Sequence, residues 1–171
     1  MKLLERFKEF IRQQNLFLPK DKLLLAVSGG VDSVVLCELC HQAGFDFAIV
    51  HCNFQLRGED SDRDENFVRK LALKYNIPLF VARFDTKKEA KQRKLSTQET
   101  ARELRYNWFE ETRNGEGYNY ILTAHHADDN VETVLMNFFR GTGIRGIGGI
   151  EPKHNQIVRP LPRRTSRSES S

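Results

Sequence analysis

With 171 residues, 39% of them hydrophobic and 29% charged, the chain has the makeup of one globular domain with a sizeable core, which excludes a disordered or fibrous protein. Its longest aliphatic run, residues 23–27, is far too short to cross a bilayer, and charges interrupt the apolar positions of its N-terminal stretch, so neither a membrane span nor a secretory signal is expected and a cytoplasmic location is the default. The net charge of +4 does not by itself indicate a nucleic-acid partner, because the stretch from Arg159 onward, with four arginines and one glutamate, contributes +3 and leaves +1 for everything before it.

Leu3, Leu4, Phe7, Phe10 and Ile11 recur at helical spacing and predict an amphipathic first helix. After a turn at Pro19 and Asp21, the continuous apolar run 23–27 ends in glycines, as expected of a strand buried on both faces. A helix is predicted from about residue 33 to 42, stopping at Gly44, and a second strand over 45–50. Residues 53–65 are polar and charge-dense, a loop leading into a helix that runs to about Tyr75, with the acidic run 59–65 as a solvated helix start. Pro78 opens a third strand over 79–84, and the lysine-rich stretch 87–94 reads as a connection, either solvated or facing nucleic-acid phosphates.

Ser96 and Glu99, three positions apart, fit a capping box for a helix to about Arg113. A fourth strand is predicted over 120–123, a helix over about 127–139, a glycine-rich stretch over 141–149 and a last short strand near 156–158. Strands alternating with helices at this spacing predict an α/β fold with a parallel five-stranded sheet and helices on both faces. The domain is assigned to residues 1–161. Residues 162–171, rich in serine and arginine, read as a disordered tail or cloning remnant.

The chain has three cysteines, Cys37, Cys40 and Cys52. Cys37 and Cys40 have C-x-x-C spacing, but no second pair completes four ligands, and both fall on a predicted buried helix, where they read as small apolar residues.

The segment with a chemical signature is Ser28-Gly29-Gly30-Val31-Asp32-Ser33, between a strand and a helix. Two glycines let the chain turn sharply and bring main-chain N–H groups close to phosphate oxygens, and the helix start adds a positive field. Neither the lysine of a Walker A loop nor the G-x-G-x-x-G of a dinucleotide site is present. An acid inside such a loop repels its ligand unless a cation mediates, which points to Mg2+ on pyrophosphate near Asp32. The plainer alternative is a tight turn with Asp32 capping a helix.

This loop resembles the PP-loop of the ATP pyrophosphatase superfamily, whose members release pyrophosphate and transfer AMP. The resemblance implies an adenine nucleotide alpha hydrolase-like, Rossmann-type fold. Two further segments narrow it: His51-Cys52-Asn53-Phe54-Gln55-Leu56-Arg57-Gly58, and Thr123-Ala124-His125-His126-Ala127-Asp128-Asp129-Asn130-Val131-Glu132-Thr133 continuing to Ile147. With the phosphate loop they resemble the tRNA(Ile)-lysidine synthase family from about Lys20 to Leu161. That family adenylates the wobble cytidine of tRNA(Ile) at C2 with ATP, and lysine then displaces AMP.

The resemblance implies ATP and Mg2+ as cofactors, tRNA(Ile) and free L-lysine as partners, Asp32 and Arg105 at the catalytic centre, and lysine held by His125, Asp129 and Glu132. Those last three stand at i, i+4 and i+7 and share a face if a helix includes them. A zinc site at His125 and His126 lacks an H-E-x-x-H frame. Phe54 stands where the family commonly has histidine, and family members continue into further tRNA-gripping domains. A homodimer is compatible with the sequence. Two other readings fit the same residues: another PP-loop tRNA-modifying enzyme, such as a thiolase using Cys37 and Cys40 or an amidating ligase, and a truncated ATP- or RNA-binding module without activity.

Overall fold

A computed structural model of the chain describes the backbone of residues 3–128, 131–141 and 150–158, and the side chains of residues 3–124. In chain order the elements are α1 (Leu3–Gln13), β1 (Lys22–Ala26), α2 (Val31–Ala43), β2 (Asp46–Asn53), α3 (Glu59–Tyr75), β3 (Leu79–Arg83), α4 (Thr86–Arg93), α5 (Thr97–Glu116), β4 (Tyr120–Asp128), β5 (Val131–Gly141) and β6 (Ile150–Val158).

The sheet runs in the order β3-β2-β1-β4-β5-β6. β1 is central and parallel to both neighbours, with Leu25 opposite Ile49 of β2 and Leu122 of β4. Such a strand has no face toward water, which is why Leu23, Leu24 and Leu25 can follow one another and all be fully buried. Alternation divides them between two cores. Leu23, Leu25 and Ile49 pack with Phe7 and Ile11 of α1, Leu36 and Cys40 of α2, and Val68 and Ala72 of α3. Leu24, Ala48, Val50 and Ile121 pack instead with Phe109 of α5, and Tyr106 and Trp108 join from the same helix. The parallel core covered on both faces is therefore as the sequence led us to expect.

The chain winds outward from β1 through β2 to β3, then returns across the sheet to lay β4 on the other side of β1. Strand order thus reverses between β1 and β4, which opens a crevice at their carboxyl ends. A reciprocal pair of bonds fixes the opposite end of this junction: Lys22 N–H donates to Asn119 Oδ1 and Asn119 N–H to the Lys22 carbonyl, both at 2.8 Å.

Three expectations are corrected. Residues 87–94 are not a connection; they lie almost wholly in α4, capped by Asp85, whose carboxylate accepts the Lys88 N–H. Among the described residues the sheet has six strands, because β5 and β6 add to the parallel set in antiparallel fashion. Among the described residues of the helix expected over 127–139, none is helical: β4 continues to Asp128 and the chain returns as β5, with His125 opposite Leu135 and Asp128 opposite Val131. Val131, Thr133, Val134, Phe138 and Phe139 are β-branched or aromatic residues that suit a pleated surface, and neighbours on both sides supply the ladder that a helix would have closed internally. The glycine-rich stretch 142–149 and the tail 162–171 lie outside the described residues.

The capping box forms as expected. Ser96 Oγ accepts the Glu99 N–H at 3.0 Å, and Glu99 Oε1 accepts the Ser96 N–H at 3.3 Å. Ser96→Ala removes the first of these and leaves an unpaired donor at the start of α5. We expect a loss of about 1 kcal/mol, read as a fall of about 2–4 °C in Tm by thermal unfolding.

Candidate functional site

The phosphate-loop candidate begins where β1 leaves the sheet. Val27 still belongs to the sheet's edge: its N–H donates to the Val50 carbonyl at 3.1 Å, and its own carbonyl lies 2.7 Å from His51 Nδ1. A carbonyl can only accept, so the His51 proton is on Nδ1. His51 is buried, and its Nε2 has no partner among the described residues. Gly29 then adopts a φ of +100°, a conformation that side-chain-bearing residues rarely take. Gly30 is the N-cap of α2 and supplies no capping side chain. Its carbonyl accepts the Val34 N–H at 3.2 Å and the Ser33 hydroxyl at 2.9 Å, and its N–H points to Ser28 Oγ at 3.4 Å.

The helix ladder of α2 thus starts at Val34, and the main-chain donors of the turn before it have no carbonyl one turn back to bond. Ser28, Gly30 and Val31 are exposed, whereas Asp32 and Ser33 are buried, at 9% and 3% exposure. An open rim of main-chain N–H groups over a buried carboxylate, at the point where strand order reverses, can take an anion that arrives with a cation.

β2 runs three residues beyond the expected end and carries His51, Cys52 and Asn53 to the carboxyl edge of the sheet. Its register with β3 continues to Asn53 opposite Arg83. Polar residues can sit there because the chain supplies partners from a distance. Asn53 Nδ2 donates to Glu65 Oε1 at 3.0 Å and Asp62 Oδ1 at 3.2 Å, and its Oδ1 accepts the Gln55 N–H at 2.9 Å. Glu65, only 2% exposed, is the hub. Arg83 grips both of its oxygens, at 2.9 and 2.6 Å, and Arg69 adds a bond at 3.0 Å. The Arg83 bonds, with help from Asn53 and Arg69, outweigh desolvation and hold the Glu65 carboxyl down to about 2.

The acidic run 59–65 is a helix start, as expected, but Glu65 does not belong to its solvated face. A signal was available: Glu65 stands in phase with Val68, Ala72 and Tyr75 on the buried stripe of α3. A carboxylate on an apolar stripe requires a partner.

On the other face of the sheet, Arg105 of α5 places its guanidinium 5.4 Å from the centre of the Phe54 ring. Phe54 in turn stacks on Phe84, ring centres 5.7 Å apart, and Phe84 meets the edge of Trp108 at 6.5 Å. The acidic residues near it on α5 are held by other arginines. Glu103 bonds Arg93 at 2.8 Å, and Glu110 bonds Arg113 at 2.8 Å. Phe54 therefore meets Arg105 as a flat apolar platform. Cys52, on the same side, is pushed up to about 12 by burial, against the opposing charge of Arg105.

Cys37 and Cys40 lie fully buried in the core. Burial, with Glu38 nearby, pushes the Cys37 thiol up to about 12, and burial raises Cys40 well above its ordinary value. Both thiols pack as small apolar groups, as expected. Among the described residues, no group of three or more potential metal ligands gathers, and no helix is long and apolar enough to cross a membrane.

The three residues expected to hold lysine do not share a helix. His125 lies on β4 and Glu132 on β5, either side of the connection from Asp128 to Val131, while Asp129 lies within that connection and outside the described residues. On β4, the neighbour of β1, Thr123 Oγ1 is buried and has no partner among the described residues.

Comparison with known proteins follows the same outline. A family model described as a PP-loop domain matches residues 1–169. The curated tRNA(Ile)-lysidine synthase of Bacteroides thetaiotaomicron is 52% identical over 157 residues, covering 92% of this chain and 37% of that protein. The protein of the same name from Chlorobaculum tepidum is 45% identical over 161 residues, covering 92% of this chain and 49% of its own length. The chain thus spans about a third to a half of the length of these curated relatives. Among solved structures, an NH3-dependent NAD synthetase from Campylobacter jejuni superposes with a TM-score of 0.54 at 16% identity, over 71% of this chain and 53% of that one. That likeness establishes a shared fold.

Proposed function

The chain belongs to the PP-loop family, whose members bind ATP, and from that membership we propose that it is the ATP-using part of a tRNA(Ile)-lysidine synthase. The observation that carries the reading is 52% identity to a curated enzyme of that name over 92% of this chain. In this reading the O2 oxygen of the wobble cytidine attacks the α-phosphorus of ATP. The α–β phosphoanhydride bond breaks and pyrophosphate leaves. An amine of free lysine then attacks C2, the C2–O bond breaks, and AMP departs with that oxygen as the amine loses a proton.

The reading gives these residues the following roles. Main-chain N–H groups of Ser28 to Ser33 hold the triphosphate at the reversal of strand order. Asp32 supplies oxygen ligands of the hard kind that Mg2+ prefers, and a carboxylate set into an anion-binding loop fits such an ion. When bound, Mg2+ offsets charge on the departing pyrophosphate. Arg105, held on the Phe54 ring, brings a guanidinium for charge on the α-phosphate. His125, Asp129 and Glu132 bind the lysine, whose ammonium group suits the two carboxylates. Lys87, Lys88, Lys91 and Lys94, exposed on and just after α4, offer a basic surface to the tRNA backbone.

The test is incubation of the protein with ATP, labelled lysine and tRNA(Ile) transcripts carrying either C or U at the wobble position. Label should enter the C form alone, with one AMP released for each lysine incorporated. Equal labelling of both transcripts, or AMP release that ignores lysine, rules the assignment out.

A further inference from the structure

We propose that Arg57 is a phosphate-binding residue of the nucleotide site, held beside the loop by Asp64. The proposal rests on reading Ser28 to Ser33 as an ATP phosphate loop. It starts from a residue of the His51–Gly58 segment that the roles above leave unused.

After β2 the chain turns at Gly58, whose φ of 55° and ψ of −121° suit glycine, and α3 begins. The turn folds Arg57 back along the first turns of that helix. Its N–H donates to Ser61 Oγ at 3.2 Å, and its carbonyl accepts the Asp60 N–H at 3.1 Å. The guanidinium then meets Asp64, Nη2 to Oδ2, at 2.6 Å. The other oxygen of that carboxylate faces the phosphate loop. A Cβ placed on Gly29 would lie 3.4 Å from Asp64 Oδ1 and 3.6 Å from its Cγ. One carboxylate thus separates the guanidinium from the twin-glycine bend.

An unpaired acid against a phosphate loop would repel a polyphosphate. Arg57 removes that charge and brings its own donors to the rim. A guanidinium has five N–H donors in a planar fork, so it can keep one bond to Asp64 and offer others to a phosphate oxygen. The pair is too open to be explained by folding: the Arg57 side chain is 64% exposed and that of Asp64 37%, and exposed ion pairs contribute little to stability. Exposure also leaves Arg57 free to swing toward an arriving ligand. Since the loop already cradles the anion from below, Arg57 meets the outer phosphates, and its contribution vanishes for a nucleotide that lacks them.

Calorimetric titration with Mg–ATP and with AMP tests this. Arg57→Ala should weaken ATP binding about tenfold and leave AMP within about twofold, the loss expected for one charge-assisted bond to phosphate. Arg57→Lys, which keeps charge but not the fork, should fall between. If Asp64 positions the guanidinium, the cost of Arg57→Ala should shrink in an Asp64→Asn background. Unchanged Tm in the single variants shows that the loss is not unfolding. ATP affinity within twofold of wild type in Arg57→Ala, or an equal loss for AMP, overturns the role of Arg57. Additive effects of the two substitutions overturn that of Asp64. Wild-type protein that binds no ATP overturns the loop reading itself, and this proposal with it.

Discussion

Replacing Asp32 with asparagine should lower ATP-dependent pyrophosphate release by a factor on the order of 10²–10³, with the fold intact. Asp32 stands in the first turn of α2, buried, within a loop whose other functional groups are main-chain donors and hydroxyls. Such a loop attracts phosphate, and a carboxylate placed in it works against binding unless it serves a cation. The substitution keeps size and one acceptor oxygen but removes the charge that a divalent ion requires. The measurement is the rate of pyrophosphate release against Mg2+ concentration, with thermal unfolding alongside. A variant that keeps its rate within a few-fold at every Mg2+ concentration would show that Asp32 is an acid of the first helical turn and no more.

The second large effect is on stability. Glu65→Gln should cost about 2–3 kcal/mol at neutral pH and should flatten the acid side of the stability profile. The carboxyl of Glu65 is held down to about 2, chiefly by Arg83, against an ordinary value of 4.5. Because the folded state holds the proton less tightly than the unfolded state, the associated stability is complete above about 4.5. It drains away as pH falls toward about 2. The full shift corresponds to about 3 kcal/mol, reduced somewhat because Arg83 and Arg69 reach Glu65 from solvent, at 61% and 50% exposure. Urea unfolding of both proteins between about pH 3 and 7 should give curves that converge as the pH falls. Parallel curves would mean that Glu65 does not anchor α3 to β2 and β3. Since α3 carries Asp64 onto Gly29, the same variant should also weaken ATP binding.

Much of the site could be read without coordinates because its signals are local. Three leucines in a row, two glycines and an acid spell a buried strand, a sharp turn and a helix start within about a dozen residues. Each step is decided by backbone conformation and burial close at hand. The same holds for the left-handed stop of α2 at Gly44 and for the Ser96–Glu99 box, where the interacting groups are three or four residues apart. Family resemblance then tied that loop to ATP, and the match over residues 1–169 agrees.

Other features depended on groups far apart in the chain. Residues 127–139 carry both a helical spacing and strand-forming side chains, and the two periods cannot be separated locally. Pairing with β4 and β6 decides between them, so the helical face drawn for His125, Asp129 and Glu132 gives way to a hairpin. Polar His51 and Asn53 marked an end to β2 in sequence, but the Val27 carbonyl and the Asp62 and Glu65 carboxylates receive them, and the strand continues. Arg105 met an aromatic ring 51 positions away rather than an acid on its own helix.

By itself, then, the sequence determined the fold class, the twin-glycine turn and the ends of most helices, because these follow from torsional preference and from burial of runs of side chains. Tertiary structure alone decided the strand order, the antiparallel extension and the carboxylate–arginine contacts around the loop. Those depend on which distant group satisfies a buried charge or an open sheet edge, and no local energy specifies that partner.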